Sequence, residues 1–450
     1  MDTFPGESGL DKPLDFIREH QVDVSLALVL AAGLVGASFQ AMLPAMQGAE
    51  MWNLARNIAG HGAFANPFAT LATGPTANNP PLYPFILAGL IKVFRVPLLI
   101  YDASVVGCIL ANAVTAALLP RISVVIYGDA IPGIIASVLW LAAIQSIPGW
   151  DTNYTVAGLL FFCYFTASFA GVERKADRHA ALGGTVAGVL CLLNPATMLV
   201  LLPWIGYLFW RAKADKRSAA RHCGIILVIL CLFAAGWCER NYRQLGAFVI
   251  RTDLGVSLYV SNNDCAQSSL LKEELNGCFG AHHPNESARE AGLLLEMGEI
   301  QYDRNRIADT KAWIRANPAR FLKLTMTRTI EFWFPAREVI PPGYEYASNF
   351  GIPHYAQSVA RQQNRIAYAI WIVTILSLPG LVLMARSREP FVLFVLTVMA
   401  IYPLMYYVVV SDMRYRYPVF WLSLLPAGYF IRELLKGRGL SFRKTSSASH

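Results

Sequence analysis

A succession of apolar runs, each near the length of a bilayer core, leaves this chain few folds to adopt. They lie at about 22–43, 98–119, 131–148, 152–171, 222–238, 366–385, 390–410 and 417–431, and a helix needs about 20 apolar residues to cross the hydrocarbon. Strands are excluded as spanning elements. Lipid offers no partner for backbone N–H and C=O, so only helices or a closed barrel can cross, and barrel strands alternate where these runs do not. With 55% hydrophobic and 15% charged residues, the 450-residue chain lies outside the soluble range in both respects. The expected fold is an all-α polytopic membrane protein of about ten or eleven membrane helices, some short or re-entrant, with an external, mainly helical soluble domain.

The net charge of +8 does not point to nucleic acid, because the basic residues sit in short loops between apolar runs rather than on a soluble face. These loops are ERKADRH at 173–179, RAKADKR at 211–217, Arg386 with Arg388, and the tail from Arg432 to Lys444. The positive-inside bias makes them cytoplasmic. The N-terminus carries Asp2, Glu7, Asp11 and Asp15 and lacks the basic start and cleavage site of a signal peptide, so the first helix is expected to be retained. Threading the runs between these loops places an N-terminal transmembrane module at 1–240, whose first external loop is 44–97. An external domain at 241–365, C-terminal transmembrane helices at 366–432 and a basic cytoplasmic tail at 433–450 follow. Within the first loop, PPLYPFILAGLIKVF is apolar but short and opens on a double proline, which reads as a helix lying in the outer interface. The stretch 181–210 has a basic loop at each end and is broken by Asn194-Pro195, so it forms a hairpin of two short helices. Helical periodicity from Ser287 onward breaks near Asn317-Pro318.

This topology carries two acids to one outer face: Glu50 in GAEMWN and Asp151 in the tight turn GWDTNY. Each has a plain reading, a solvated flank for Glu50 and a helix N-cap for Asp151. Ionisable groups held at membrane level nevertheless mark function by default. Arg240 and Arg243 of WCERNYR, and Arg414 and Arg416 of SDMRYRYP, stand at the same level. Cations are disfavoured outside, and guanidinium groups grip phosphate through paired donors; snorkelling to lipid headgroups is the alternative. Tyr242, Tyr415 and Tyr417 serve as belt residues or as walls of a sugar or lipid site. Asn78, Asn79 and Tyr83 of NNPPLYP are further candidates to line a substrate, the asparagines either shaping the loop or binding sugar hydroxyls.

The cysteines divide unevenly. Cys108, Cys163, Cys191, Cys223, Cys231 and Cys238 lie in or beside apolar helices, as small buried hydrophobes. Cys265 and Cys278 bracket a polar stretch of the external segment, as a disulfide or as two free thiols. No CxxC or histidine cluster marks a metal centre. His61, His282 and His283 are candidate bases or ligands; read as lacking helical partners or nearby cysteines, they are taken rather for solvated or hydrogen-bonded loop histidines.

The stretches GAEMWNLARNIAGHG, GPTANNPPLYPFILAGLIKVF, GWDTNYTVAGLLF, GVLCLLNPATMLVLLPW, WCERNYRQLGAFVIRTDLGVSLYVSNN, ANPARFLKLTMTRTIEFWF and MRYRYPVFWLSLLPAGY follow in order over most of the chain. Together they resemble the GT-C superfamily of polytopic glycosyltransferases that use polyprenyl-phosphate sugars, in the branch of protein O-mannosyltransferases and aminoarabinose transferases. The resemblance implies transfer of a hexosyl or pentosyl group from a polyprenyl-phosphate-linked donor to a lipid, polysaccharide or protein acceptor of the cell envelope. It implies inversion, on the periplasmic face of a bacterial inner membrane. Glu50 matches the acid of the first external loop, as general base or orienting group, and Asp151 the acid of the second. Arg240, Arg243, Arg414 and Arg416 are candidates by position for the donor phosphate, since a leaving phosphate needs cations and an attacking hydroxyl needs a base. The chain departs from the pattern in one respect: relatives carry an acidic pair in the first loop, and Ala49-Glu50 supplies one acid. That disfavours a divalent metal, and no cofactor is expected. Rival readings are a transporter or flippase for lipid-linked saccharide and an inactive envelope scaffold. Transporters show internal repeats and polar residues near the bilayer midplane, and here no repeat is evident and the acids lie at the outer surface.

Overall fold

The computed structural model describes residues 27–28, 50–144, 150–168, 176–212, 215–337, 339–340 and 355–437. Apart from 27–28, the expected first membrane helix lies outside them, as do 341–354 of the external segment and the tail after Gly437. The described residues form helices and loops, with two isolated bridges, Ala65 to Pro75 and Ser269 to Ser411, in place of sheet.

The loop expected to be the first external one forms α1 (Glu50–His61) and α2 (Leu82–Phe94), packed on each other. Next come α3 (Pro97–Tyr127), α4 (Ile131–Ala143), α5 (Thr152–Ser168), α6 (Ala176–Leu193), α7 (Met198–Arg211) and α8 (Lys216–Leu245). The segment expected to be external, 241–365, comprises α9 (Leu254–Ser261), α10 (Leu270–Leu275), α11 (Cys278–His282), α12 (Ala288–Met297), α13 (Glu299–Ala316) and α14 (Pro318–Trp333) among the described residues. α15 (Tyr355–Arg386), α16 (Phe391–Ile401), α17 (Leu404–Tyr407) and α18 (Tyr417–Gly437) close the bundle.

Among the described residues, α3, α8 and the Ala360–Arg386 part of α15 are long and apolar enough to cross a membrane; α2, α4 and the stretch 391–407 are shorter apolar helices. The protein is thus an all-α membrane protein, and among the described residues several helix boundaries fall at prolines. The residue before a proline is pushed out of the α region and the ring removes an N–H donor. Asn194 is extended (φ −156°, ψ 106°), and the 3₁₀ turn Pro195–Thr197 separates α6 from α7 at the expected break. Asn317-Pro318 divides α13 from α14 in the same way, and the expected run 390–410 breaks at Pro403 between α16 and α17 while Tyr402 keeps helical dihedrals (φ −59°, ψ −44°).

The core runs through the bundle on Trp140, Trp204 and Trp421, all essentially inaccessible. α18 lies at its centre, packed on α15 and α4. These helices touch backbone to backbone: a Cβ on Gly380 would lie 2.0 Å from the Pro426 carbonyl oxygen, and one on Gly428 2.1 Å from that of Pro132. Glycine is the residue that allows such approach between membrane helices. At the end of α4 away from Asp151, Arg432 Nε donates to Asp129 Oδ2 at 2.9 Å, with Nη2 at 2.8 Å, both residues being buried. Asp129 Oδ1 also accepts from the Ile131 N–H at 3.1 Å, where α4 begins. In the external segment the fully buried Arg328 of α14 donates to the carbonyls of Ser261 (2.5 Å), Gln267 (2.8 Å) and Val408 (3.3 Å), tying that segment to the loop before α18.

Candidate functional site

Glu50 opens α1, where the helix dipole favours a carboxylate, and Met51, Leu54, Ala55 and Ile58 turn the same helix into the core. Its side chain points at the NNPP segment: Oε2 accepts from Asn78 Nδ2 at 3.2 Å and from Asn79 Nδ2 at 3.0 Å. That segment is itself held from the far side. Arg240 Nη1 donates to Thr76 O at 2.6 Å, Arg251 Nε to Asn78 O at 2.6 Å, and the Ala77 N–H to Glu299 Oε1 at 2.7 Å. Oε1 of Glu50 lies 3.4 Å from His283 Nε2. Burial, with 9% of the residue exposed, pushes the carboxyl above the usual carboxylate range, and the Asn79 amide, Arg251, Arg414 and Asn78 pull it back.

Asp151 sits just before α5 and is also buried. Its Oδ2 accepts from Thr155 Oγ1 and from Asn194 Nδ2, each at 2.8 Å. Burial raises this carboxyl too, and the two hydrogen bonds act against the rise. Asn194 reaches Asp151 because the hairpin breaks there; its Oδ1 meanwhile accepts from the Ala196 N–H at 3.0 Å and caps the 3₁₀ turn.

Both acids face one cavity of about 1270 Å³, whose wall includes Trp150, Arg251, His283 and Arg414. Arg414 stands in the 3₁₀ turn Met413–Tyr415, its Nε 3.1 Å from Asp412 Oδ2 and its guanidinium 4.0 Å above the Trp150 ring. Arg251 pairs with Asp253 at 2.9 Å. The cavity therefore holds carboxylates satisfied by neutral amides and cations whose acidic partners are other residues. Such a surface suits a ligand with hydroxyls at one end and an anion at the other.

The candidates from sequence separate into two groups. Glu50, Asp151, Arg414 and Tyr415 line the cavity, and Tyr415 is stacked on Tyr406 at 4.7 Å. Asn78 and Asn79 stand behind the Glu50 carboxylate. The others lie elsewhere. Arg240 is held between Phe64 and Trp237 with its donors on the Thr76 and Phe64 carbonyls, and Arg243 pairs with Glu239 on an exposed helix end. Arg416, 2% exposed, donates to Trp333 O at 2.6 Å and Ser423 Oγ at 3.2 Å, joining α14 to α18. Tyr242 is 55% exposed, Tyr83 is buried against Tyr154, and His61 ends α1 in the open. Arg251, Asp253, His283 and Asn194 are additions that the sequence does not single out as site residues.

Cys265 and Cys278 form a disulfide, with Cα atoms 5.7 Å apart. It closes the loop that carries α10, whose Leu270, Leu271, Lys272 and Glu274 line the cavity. His282, read as a histidine without cysteine neighbours, has Nδ1 3.7 and 3.8 Å from the two sulfurs. The three side chains are close enough to cage an ion, but the sulfurs bond each other and leave no thiolate to ligate one.

No family model and no curated protein matches this sequence. Solved structures do match. The archaeal oligosaccharyltransferase AglB from Archaeoglobus fulgidus, in complex with an inhibitory peptide and a dolichol-phosphate, aligns with a TM-score of 0.53 at 11% identity, over 94% of this chain and 51% of that one. The Archaeoglobus fulgidus oligosaccharyltransferase tethered with an acceptor peptide gives 0.54 at 12%, over 92% and 50%, and the apo form 0.52 at 10%, over 92% and 51%. At such identity the likeness is one of fold, and this chain spans about half the length of the structures it matches. The fold is the GT-C fold that the sequence resemblance implies.

Proposed function

We propose that the cavity is the active site of a membrane glycosyltransferase that moves a hexosyl or pentosyl group from a polyprenyl-phosphate-linked donor to a hydroxyl of a cell-envelope lipid, polysaccharide or protein. The observation that carries this reading is the sharing of one cavity by Glu50, Arg251 and Arg414. Glu50 takes the proton of the acceptor hydroxyl, the oxygen attacks the anomeric carbon, and the bond from that carbon to the phosphate oxygen breaks. The electron pair departs on the lipid phosphate, between Arg251 and Arg414, and a single displacement inverts the centre. A buried carboxylate of raised proton affinity is the better base, and fixed cations stabilise the charge that develops on the leaving group. Asp151, with Oδ2 occupied by Thr155 and Asn194, orients a sugar or acceptor hydroxyl through its other oxygen. Arg240, Arg243 and Arg416 have no part in holding the phosphate on this reading.

A dolichol-phosphate and peptides accompany the archaeal structures of the same fold, which supports a lipid-phosphate donor without choosing the acceptor. The cavity lies at the ends of α4 and α18 away from Arg432, and we read it, by the positive-inside bias of the basic loops, as facing the outside of a bacterial inner membrane, with 241–365 as an external domain above it. We take transfer to proceed without a metal ion. Arg251 and Arg414 already place positive charge beside Glu50, and Oε2 accepts two amide donors that a cation would have to displace.

Radiolabelled polyprenyl-phosphate sugars presented to the purified protein in lipid, with a membrane extract as acceptor source, test the reading. Transfer by the wild type that survives a chelator and is lost in Glu50→Gln and reduced in Asp151→Asn supports it. Donor binding without turnover transfers the assignment to a transporter or a scaffold.

A further inference from the structure

His283 reaches the site from the external segment, far in sequence from Glu50. Its ring stacks on Phe279 at 4.5 Å and 14°, and meets the edge of Phe68 at 6.1 Å. The residues that follow it dock on the first external loop, where Thr70 Oγ1 donates to Pro284 O at 2.6 Å and the Ala69 N–H to Asn285 Oδ1 at 3.0 Å. Phe279 belongs to the short helix that starts at Cys278, so the disulfide anchors the base on which the imidazole rests.

The hydrogen bonds decide which ring nitrogen carries the proton. The Asn285 backbone N–H points at Nδ1 from 3.1 Å, so Nδ1 is the acceptor and the neutral ring keeps its hydrogen on Nε2. Nε2 is the atom 3.4 Å from Glu50 Oε1. A carboxylate offers about four acceptor positions. The amides of Asn78 and Asn79 occupy two on Oε2, and a donor from Nε2 at Oε1 would take a third and leave one on Oε1. At 3.4 Å the contact is longer than a formed bond, as catalytic contacts often are before substrate binds.

We infer that His283 is a positioning residue for the transfer reaction: as a neutral donor it holds Oε1 of Glu50 by Nε2–H and aims the remaining lone pair at the acceptor hydroxyl. This rests on the reading of Glu50 as the base. His283 does not relay the proton, since accepting one at Nδ1 would break the Asn285 contact. Burial supports the neutral state by pushing the imidazole down to about 4. The other charged groups that bear on Glu50 are Arg251 and Asp253 from the segment after α8 and Arg414 from the turn before α18. None of them belongs to α11 or the loop that follows it, so changing His283 leaves them in place.

The test compares wild type, His283→Phe, His283→Gln and Glu50→Gln in lipid, with two readouts. One is the pH profile of kcat/KM for sugar transfer; the other is the infrared carboxyl band of Glu50, identified by its loss in Glu50→Gln. A donated hydrogen bond favours the ionised carboxylate, so losing it raises the Glu50 pKa. His283→Phe, which keeps the stacking, is expected to move the acid limb and the carboxyl titration up together by about one pH unit, with activity regained at high pH. His283→Gln, which retains an N–H donor, is expected to move both less. Where Phe does not yield folded protein, Asn, whose amide stops short of Glu50, takes its place against Gln. A uniform fall in turnover with limb and carboxyl titration unmoved overturns the inference and leaves His283 as packing. Full transfer by Glu50→Gln instead overturns the base reading itself, and the infrared titration, which needs no substrate, still decides whether His283 acts on Glu50.

Discussion

The two ends of α4 and α18 both bury charge, and they treat it differently. At one end Asp129 and Arg432 satisfy each other directly, at 2.8–2.9 Å. At the other, Glu50 and Asp151 are held by the amides of Asn78, Asn79 and Asn194 and the Thr155 hydroxyl, while Arg414 faces the cavity between Asp412 and Trp150. A buried charge needs partners in either case. Partners of opposite charge quench it, whereas neutral partners hold it in place and leave it available to a ligand. The first arrangement fastens helices, and the second, on the reading proposed, leaves Glu50 and Asp151 available to a ligand.

The largest effect expected is at the cavity end. On the reading proposed, Glu50→Gln keeps the shape of the side chain and removes the base, so transfer should fall by about 10²- to 10⁴-fold while thermal stability does not fall. If transfer persists, the cavity end is only a second fastening. At the Arg432 end the signature reverses. Arg432→Leu strands Asp129 and should cost about 3–5 kcal/mol of stability, with normal turnover per folded molecule and partial recovery when Asp129→Leu is added. A melt that does not move would show the Arg432 pair to be idle.

Replacing Cys265 and Cys278 by serine touches the cavity end alone. The closed loop spans 13 residues, for which removal should cost about 3 kcal/mol through the unfolded chain, and it should loosen the α10 wall with no effect on the Arg432 pair. Proteolysis and melting in reductant check this. Smallest is Asn79→Leu, which takes one donor from Glu50 Oε2. Burial already holds this carboxyl above its ordinary range, so its basic form is lost at a higher pH than usual as the solution is acidified. Without Asn79 that point rises again. About a tenfold loss near the acid limb, recovering as pH is raised, is the expected profile of kcat/KM. A loss equal at every pH would mean that Asn79 acts on the fold and not on the charge.

Much of this contrast is legible in the amino-acid sequence. Apolar runs place the helices, basic loops order their ends, and Asn194-Pro195 announces the hairpin break. Glu50, Asp151 and Arg414 are visible as charges beside apolar runs, and they share a cavity. The arginines defeat the same reasoning. Arg240, Arg414 and Arg416 look alike in sequence, yet Arg240 and Arg416 place their donors on carbonyls and Arg414 alone opens to the cavity, a difference set by helix rotation and by a 3₁₀ turn. Arg251 and His283 belong to a polar segment in which charge is ordinary, so nothing local distinguishes them. Asn194 is legible as a breaker but not as the partner of Asp151, because 43 residues separate the two in the chain.

The order in which the cavity's residues occur along the chain has a consequence for biosynthesis. Glu50 leaves the ribosome first, Asp151, Asn194, Arg251 and His283 follow, and Arg414, Tyr415 and Pro418 emerge after every other residue of the cavity wall. On the reading proposed, a nascent chain inserting helix by helix carries its base and the first of its two phosphate-binding cations, Arg251, well before the second, Arg414. A product that stops before the last helix therefore has an incomplete cavity wall, lacking Arg414, Tyr415 and Pro418.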